Sequence, residues 1–467
     1  MMATKENEQD LPDKSHNMMM YVDEELVDAI SYVPIDTLKG YRHHSRKHSK
    51  RQRKLMERSI REFGFIVPIL VDENNNVIAG HLRLLVALVL GYTKVPVIRV
   101  THLTPEQIRA LRIADNRLAE LGEWDRDALA LEFQDLIEID YDVEMTGFEA
   151  AEIDIVIEEF FEPVTENSAD DLPTVEQEVV SRHGDLWVLD EHMIYCGDAR
   201  DSESYEALML GRRAQMMVTD PPYNVRVVGN VSGLGRVKHD EFVMASGEMS
   251  EAEFEAFLGD YIENAVTFSE PGSVHYHFID WRHVHILERV CQKIYDVQLN
   301  LCVWVKSNGG MGSFYRSQHE LILVFRNGPG GHINNIQLGT FGRNRTNVWA
   351  YDGCSTGTKV RRADLALHPT VKPAEMIADA IKDASKRGGL ILDPFLGSGT
   401  TVIACEITGR VCVGMELDPK YVDVIVRRWQ AFTGGEAVHA GTGLTFAEIQ
   451  DMRAGKLLLA APVDGET

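Results

Sequence analysis

Between about residues 184 and 440, short apolar segments recur in a strict alternation with amphipathic stretches: WVLD, MIYCGD, MMVTD, SVHYHFID, LCVWVK, ELILVFRN, LILDPF and VCVGMELD. Segments this short and this continuously apolar are buried on both faces. Their alternation with helical stretches predicts an α/β fold, a mostly parallel sheet flanked by helices. Such a sheet binds its ligands at the carboxyl ends of its strands, so residues that directly follow these segments carry the search for a site.

Two of them carry unusual sequels. "LILDPFLGSGTTVIACEITGR" is a buried strand, a tight turn and a helix. Gly397 and Gly399 permit the turn and let backbone approach a ligand, and the helix start adds its positive end. The next strand, VCVGMELD, ends in Glu416 about twenty residues after the glycines, where an acid is placed to hold ribose hydroxyls. The glycine pattern is shorter than G-x-G-x-x-G, and the chain has no G-x-x-x-x-G-K-[ST]. A nucleoside ligand without phosphates fits both observations, and S-adenosylmethionine is one.

The other sequel is "MMVTDPPYNV", residues 216 to 225, where an apolar strand runs into Asp220, Pro221, Pro222 and Tyr223. By composition alone, D-P-P-Y arises by chance in about two chains in a thousand of this length. A carboxylate and the carbonyl of a proline with restricted φ can both accept from an exocyclic base amine. The tyrosine ring offers a stacking surface. A base inside a duplex is out of reach, so such chemistry requires its extrusion.

These paired motifs resemble the amino-methylating (N6-adenine or N4-cytosine) DNA methyltransferases, over about residues 181 to 440. The D-P-P-Y motif precedes the F-x-G-x-G turn, and HPTVKP (residues 368 to 373) stands before the cofactor strand, an order similar to the permuted β-group. The resemblance implies a Rossmann-like methyltransferase sheet in permuted order, S-adenosylmethionine as cofactor and double-stranded DNA as partner. It implies that Asp198, Lys372, Asp393, Phe395, Gly397, Gly399, Thr400, Thr401 and Glu416 surround the cofactor, with Asp198 accepting from its adenine amine. Asp220, Pro221, Pro222 and Tyr223 become the catalytic set. Arg343, Arg345, Lys359, Arg361 and Arg362 fall in the family's target-recognition region and become DNA contacts. Asp rather than Ser before Pro-Pro-Tyr favours adenine N6 over cytosine N4. Alternatives left open are cytosine N4, or a DNA-binding adaptor with an inactive methylase domain. His319 and Glu320 suggest an acid/base pair, but burial within their strand is the preferred reading.

The N-terminal part is a smaller α/β unit, predicted over residues 28 to 160 between a disordered tail (1 to 27) and an acidic linker (161 to 180), with 441 to 467 as a C-terminal extension. Thr104, Pro105 and Gln107 announce a helix start. "VPILVDENNNVIAGHLRLLVALVLGYTKVPVIRV" resembles the ParB-like fold of partition proteins. Its box reads GHLRLLVA: Arg83 remains while Leu82, Leu84 and Leu85 replace polar or basic positions, which argues against triphosphate binding. No helix-turn-helix module of the full partition type is evident behind it.

The net charge of −25 over 467 residues excludes a surface coated by nucleic acid, yet a local basic groove needs only a handful of Lys and Arg. The run from 41 to 61, nine Lys/Arg against one Glu, is such a concentration. The six cysteines are scattered without zinc-like spacing and read as buried free thiols; no metal is expected. No apolar run approaches a membrane span and the N-terminus is polar, which points to the cytoplasm, with homodimerisation left open.

Overall fold

The computed structural model describes residues 30–40, 48–139, 141–160, 169–173, 178–225, 247–307, 309, 314–336, 345–352 and 371–456. The chain divides into two compact units, Met1–Glu149 and Ala150–Thr467.

In the first unit, β1 (Ile30–Pro34), β2 (Ile69–Val71), β3 (Val77–Ala79) and β4 (Lys94–Arg99) form a sheet of order β1-β4-β2-β3. β2 and β3 form a hairpin around the polar tip DENNN, whose Asp72 accepts from the backbone of Asn74 and Asn76. Helix α1 (Lys50–Phe63) stops at Gly64, and α2 (His81–Val89) buries Leu82, Leu84 and Val86. Of the three leucines that replace polar or basic positions in the box, Leu82 and Leu84 are thus core, while Leu85 is exposed. α3 (Pro105–Leu121) opens with the capping box of Thr104 and Gln107, and α4 (Arg126–Glu138) follows.

In the second unit a large sheet is sandwiched between helices. Its strands are β5 (Leu186–Leu189), β6 (His192–Cys196), β7 (Ala214–Thr219), β8 (Ser269–Ile279), β9 (Val297–Val305), β10 (His319–Arg326), β11 (Val348–Ala350), β12 (Leu390–Asp393), β13 (Val411–Glu416) and β14 (Val438–His439). The order is β11-β9-β10-β8-β7-β12-β13-β6-β5-β14. The central strands β8, β7, β12, β13 and β6 are mutually parallel, while β10 and β5 pair antiparallel to them at either side. This is a Rossmann-like α/β sheet.

Because a strand alternates its side chains, β7 sends Met216 and Val218 to one face and Met217 to the other, and an irregularity between Ala214 and Met216 turns Ala214 to the face of Met217, all buried. On one face Tyr205 and Leu208 of α6 (Ser202–Met209), Phe254, Phe257 and Tyr261 of α7 (Glu251–Thr267) and Leu287 of α8 (Val284–Ile294) complete a core. On the other, Ile377 and Ile381 of α9 (Ala374–Ala384), Val402 of α10 (Thr400–Thr408) and Ile425 and Trp429 of α11 (Pro419–Thr433) do so. Covering both faces leaves the strand ends as the outlets for polar residues. Cys196, Cys291, Cys302, Cys405 and Cys412 are buried free thiols; Cys354 lies outside the described residues.

Two segments sit differently from the expected boundaries. Helix α5 (Ala150–Phe160) belongs to the second unit, where its Asp154 is buried between Arg410 and Arg387. The C-terminal helix α12 (Phe446–Arg453) buries Phe446 and Ile449 in the sheet core, and Arg453 pairs with Asp185 at 2.5 Å. Both rely on charges placed far apart in sequence, so neither is readable from local pattern. No described helix is long and apolar enough to cross a membrane.

Arg410 donates to Asp154 through both terminal nitrogens, at 3.0 and 2.8 Å, and has no exposed side-chain surface. Removing one partner of such a pair strands the other charge. Asp154→Ala is expected to lower the unfolding free energy of the second unit by about 3–5 kcal/mol, read by chemical denaturation. An unchanged midpoint would show that α5 is dispensable.

Candidate active site

β7 and β12 are neighbours in the sheet, with Met216 opposite Ile391 and Met217 opposite Leu392. Their carboxyl ends therefore emerge side by side, at the place where the chain turns outward in opposite directions, to β8 from β7 and to β13 from β12. That is the topological switch point of an open α/β sheet. The Thr219 hydroxyl donates to Asp393 across the two strands at 3.1 Å, stitching together the segments that lead into D-P-P-Y and F-x-G-x-G.

Beyond β12, Gly397 and Gly399 adopt φ of 53° and 81°. A Cβ at 399 would meet Ile425 of α11 at 2.9 Å, so glycine is required there for helix packing as well as for the turn. A Cβ at 397 would meet nothing within 4 Å. That opening lies beside Glu416, whose carboxylate accepts from the Gly397 and Asp418 amides at 2.9 Å each. Burial pushes Glu416 up to about 7. Phe395 packs edge-on against Tyr261, with centroids 5.1 Å apart.

The remaining residues expected around a cofactor divide. Asp198 follows β6 and is held by Arg200 at 2.7 Å. Asp393 accepts from the hydroxyls of Thr219 and Thr401, the latter at 2.5 Å, and burial raises it to about 7. The Thr400 hydroxyl donates to the Lys372 carbonyl at 3.4 Å and accepts from Arg428 at 3.2 Å. Asp393, Thr400 and Thr401 thus have internal partners and hold the turn.

Beyond β7, Asp220 and Tyr223 meet Lys372. The Tyr223 hydroxyl donates to one carboxylate oxygen of Asp220 and the Lys372 ammonium to the other. Glu320, the second residue of β10, is drawn into the same cluster. It lies 3.2 Å from Lys372 and 3.3 Å from the Tyr223 hydroxyl, and it also accepts from Lys306 at the end of β9. Burial pushes Glu320 up, but Lys372 and Lys306 outweigh it and bring it to about 2. Burial also raises Asp220, and the neighbouring Glu320 adds to this against the opposing pull of Lys372. Burial lowers Lys372, yet Asp220 and Glu320 outweigh it and keep the ammonium charged.

Glu320, weighed as an acid/base partner of His319 but read as buried within its strand, belongs to this cluster, and Lys306 was not singled out. Each stands at the end of its own strand, and only the antiparallel pairing of β10 with β9 brings them together. Asn224 was also unforeseen: at φ 55° its amide accepts from Gly247 and Met249 and donates to the Met249 carbonyl, joining the two ends of the intervening segment. Arg345, expected as a DNA contact, sits among acids of α9. Its guanidinium reaches Asp379 at 2.5 Å, Asp383 at 2.8 Å and the Tyr351 hydroxyl at 2.7 Å, so it serves the fold as an internal ion pair, not as a phosphate contact. Arg343, Lys359, Arg361 and Arg362 lie outside the described residues.

Residues 214–427 match a DNA methylase family, residues 20–116 the ParB N-terminal domain, and residues 127–183 a ParB-methyltransferase HTH domain. The region similar to DNA methylases thus follows the region similar to the ParB N-terminal domain. The third match places a ParB-methyltransferase HTH domain where the sequence showed no helix-turn-helix module of the full partition type. α4 reads RDALALEFQDLIE, an acidic helix without the basic face by which a DNA-binding module is usually noticed.

Among relatives, the chain is 38% identical over 96 residues to the type II methyltransferase M.ScaI of Streptomyces caespitosus, covering 21% of this chain and 32% of that one. It is 23% identical over 242 residues to M.HpaI of Haemophilus parainfluenzae, covering 48% and 70%. The chain thus spans about a third of the first relative's length. The solved M1.HpyAVI–SAM complex is 19% identical, with a TM-score of 0.37, covering 50% of this chain and 97% of that one.

Asp393 sets a pH signature. A carboxyl raised from 3.8 to about 7 takes up a proton on folding between those values, so its contribution to stability falls as pH rises through that window. Asp393→Asn removes this dependence. Relative to the parent, the variant is expected to be more stable at about pH 8 than at about pH 5, measured by urea unfolding. A constant difference would mean that Asp393 is ionised throughout.

Proposed function

We propose that this methylase domain transfers a methyl group from S-adenosylmethionine to the exocyclic amine of a base extruded from double-stranded DNA, with adenine N6 favoured. The single observation that carries the reading is the adjacency of β7 and β12, which brings Asp220 and the glycine turn to one sheet edge, joined by Thr219 and Asp393.

The residues present fit the cofactor. Open space over Gly397 admits a ligand to the backbone, and Glu416 at the end of the next strand is positioned for a ribose. Asp198, Phe395, Gly397, Gly399 and Glu416 are assigned to hold it, with Asp393, Thr400 and Thr401 fixing the turn and Lys372 between the two sites. When bound, it supplies an electrophilic methyl carried on a sulfonium.

The chain's own task is to prepare the amine. Conjugation with the ring makes its lone pair a poor nucleophile. Hydrogen bonds from the amine to the Asp220 carboxylate and the Pro221 carbonyl orient it and stabilise the positive charge that grows as it is alkylated. Pro222 limits the conformations available to that carbonyl. Tyr223 provides a ring for the base to lie on, and holding the reactants together removes most of the entropic barrier. Asp220, raised by burial, is suited to take the proton that the alkylated nitrogen sheds.

Modification-sensitive sequencing of DNA from cells expressing the chain is expected to show one methylated sequence, and it reports base and site together; methyl on cytosine N4 would replace the adenine assignment. Asp220→Ala is expected to cut methyl incorporation at least about a hundredfold. Undiminished incorporation would remove Asp220 from the mechanism, and unmodified DNA from cells expressing the parent chain would end the reading.

A further inference from the structure

The Lys372 ammonium is surrounded like a cation in a binding site. The rings of Phe278, Tyr223 and Trp304 stand 5.2, 5.8 and 5.9 Å from its Nζ, and its ionic partners are Asp220 and Glu320. Buried charge needs such company. The arrangement nevertheless conflicts with catalysis. Both oxygens of Asp220 already have donors, Oδ1 from the Tyr223 hydroxyl and Oδ2 from Lys372. An incoming amine has to displace one of them.

We propose that Lys372 is the group that yields. The target amine takes over Oδ2 of Asp220, and the ammonium passes to Glu320, which makes Glu320 a positioning residue that clears the acceptor for the base. This rests on the methyl-transfer reading above.

The geometry suits a short move. Lys372 is already 3.2 Å from Oε2 of Glu320, so its side-chain end shifts while its backbone stays held by Thr400. Lys306 binds the other oxygen, Oε1, and lies over Trp304 at 4.5 Å, so Glu320 has a separate oxygen for each ammonium. Once vacated, the space keeps its aromatic walls. Their faces favour the positive charge that develops on the amine nitrogen, as they favour the ammonium before it. In the free protein the same lysine separates Asp220 from Glu320, two carboxylates that otherwise repel across the pocket.

The test uses the full-length protein without cofactor and duplexes carrying the mapped site. In one duplex the target base keeps its exocyclic amine; in the other, hydrogen replaces it. The parent chain is expected to prefer the amine by about tenfold or more, the weight of one charge-assisted hydrogen bond. In Glu320→Gln the ammonium stays on Asp220 and the preference falls to near one. Glu320→Asp, which keeps the charge, retains it, separating lost charge from lost packing. In the double variant Glu320→Gln with Lys372→Met no ammonium remains to be moved, and the preference returns, a non-additivity that a structural role does not produce. An undiminished preference in Glu320→Gln, or none regained in the double variant, overturns the proposal. A parent chain that modifies no DNA overturns the methyl-transfer reading, and this one with it. A parent that does modify DNA, beside an unaffected Glu320→Gln, overturns this proposal alone.

Discussion

Parallel pairing of β7 with β12 brings Asp220 and Asp393 out of the sheet at the same edge, and most of what distinguishes this site follows from that crowding. Glu416 and Glu320 join them from β13 and β10, so acids converge where two apolar cores exclude water. Ionising all of them together is prohibitive in such surroundings. The structure answers the crowding in two ways. Asp393 and Glu416 are pushed up to about 7 and held by hydroxyl and amide donors, while Asp220 and Glu320 receive Lys372 and Lys306.

That division matches two kinds of work. The hydroxyl- and amide-bound acids shape the glycine turn, where a nucleoside requires fixed acceptors and backbone more than net charge. The lysine-bound acids keep a charged cluster, which on the proposed reading serves a reaction in which positive charge appears on a nitrogen and then leaves as a proton. The Thr219–Asp393 hydrogen bond sits between them and keeps the two strand ends at one spacing. A methyl group is a short object, so the distance between the sites decides whether transfer is feasible at all.

Much of the second unit was legible because its signals are local. Strand alternation, the positive-φ glycines at 397 and 399, the acid ending β13 and the D-P-P-Y turn each depend on a few consecutive residues whose conformational limits are intrinsic. The capping box at Thr104 was readable in the first unit for the same reason. Glu320 shows where such reading ends. In a strand reading HELILVFR a buried glutamate suggests a satisfied core residue, and its partners Lys306 and Lys372 come from segments 14 and 52 residues away. Arg345 failed in the opposite direction. A basic residue in a basic segment reads as a surface contact until Asp379 and Asp383, one helical turn apart on α9, are seen to enclose it.

The sequence by itself determined the class of sheet, the order of its motifs and the chemical types at its strand ends, because backbone sterics and side-chain periodicity act over a few residues. Only the tertiary structure decided which charges meet: Lys372 with Asp220 and Glu320, Arg410 with Asp154, Arg345 with Asp383. Ion pairing depends on distance in space and on exclusion of water. Neither quantity exists along a chain until strands from opposite ends of the domain lie side by side.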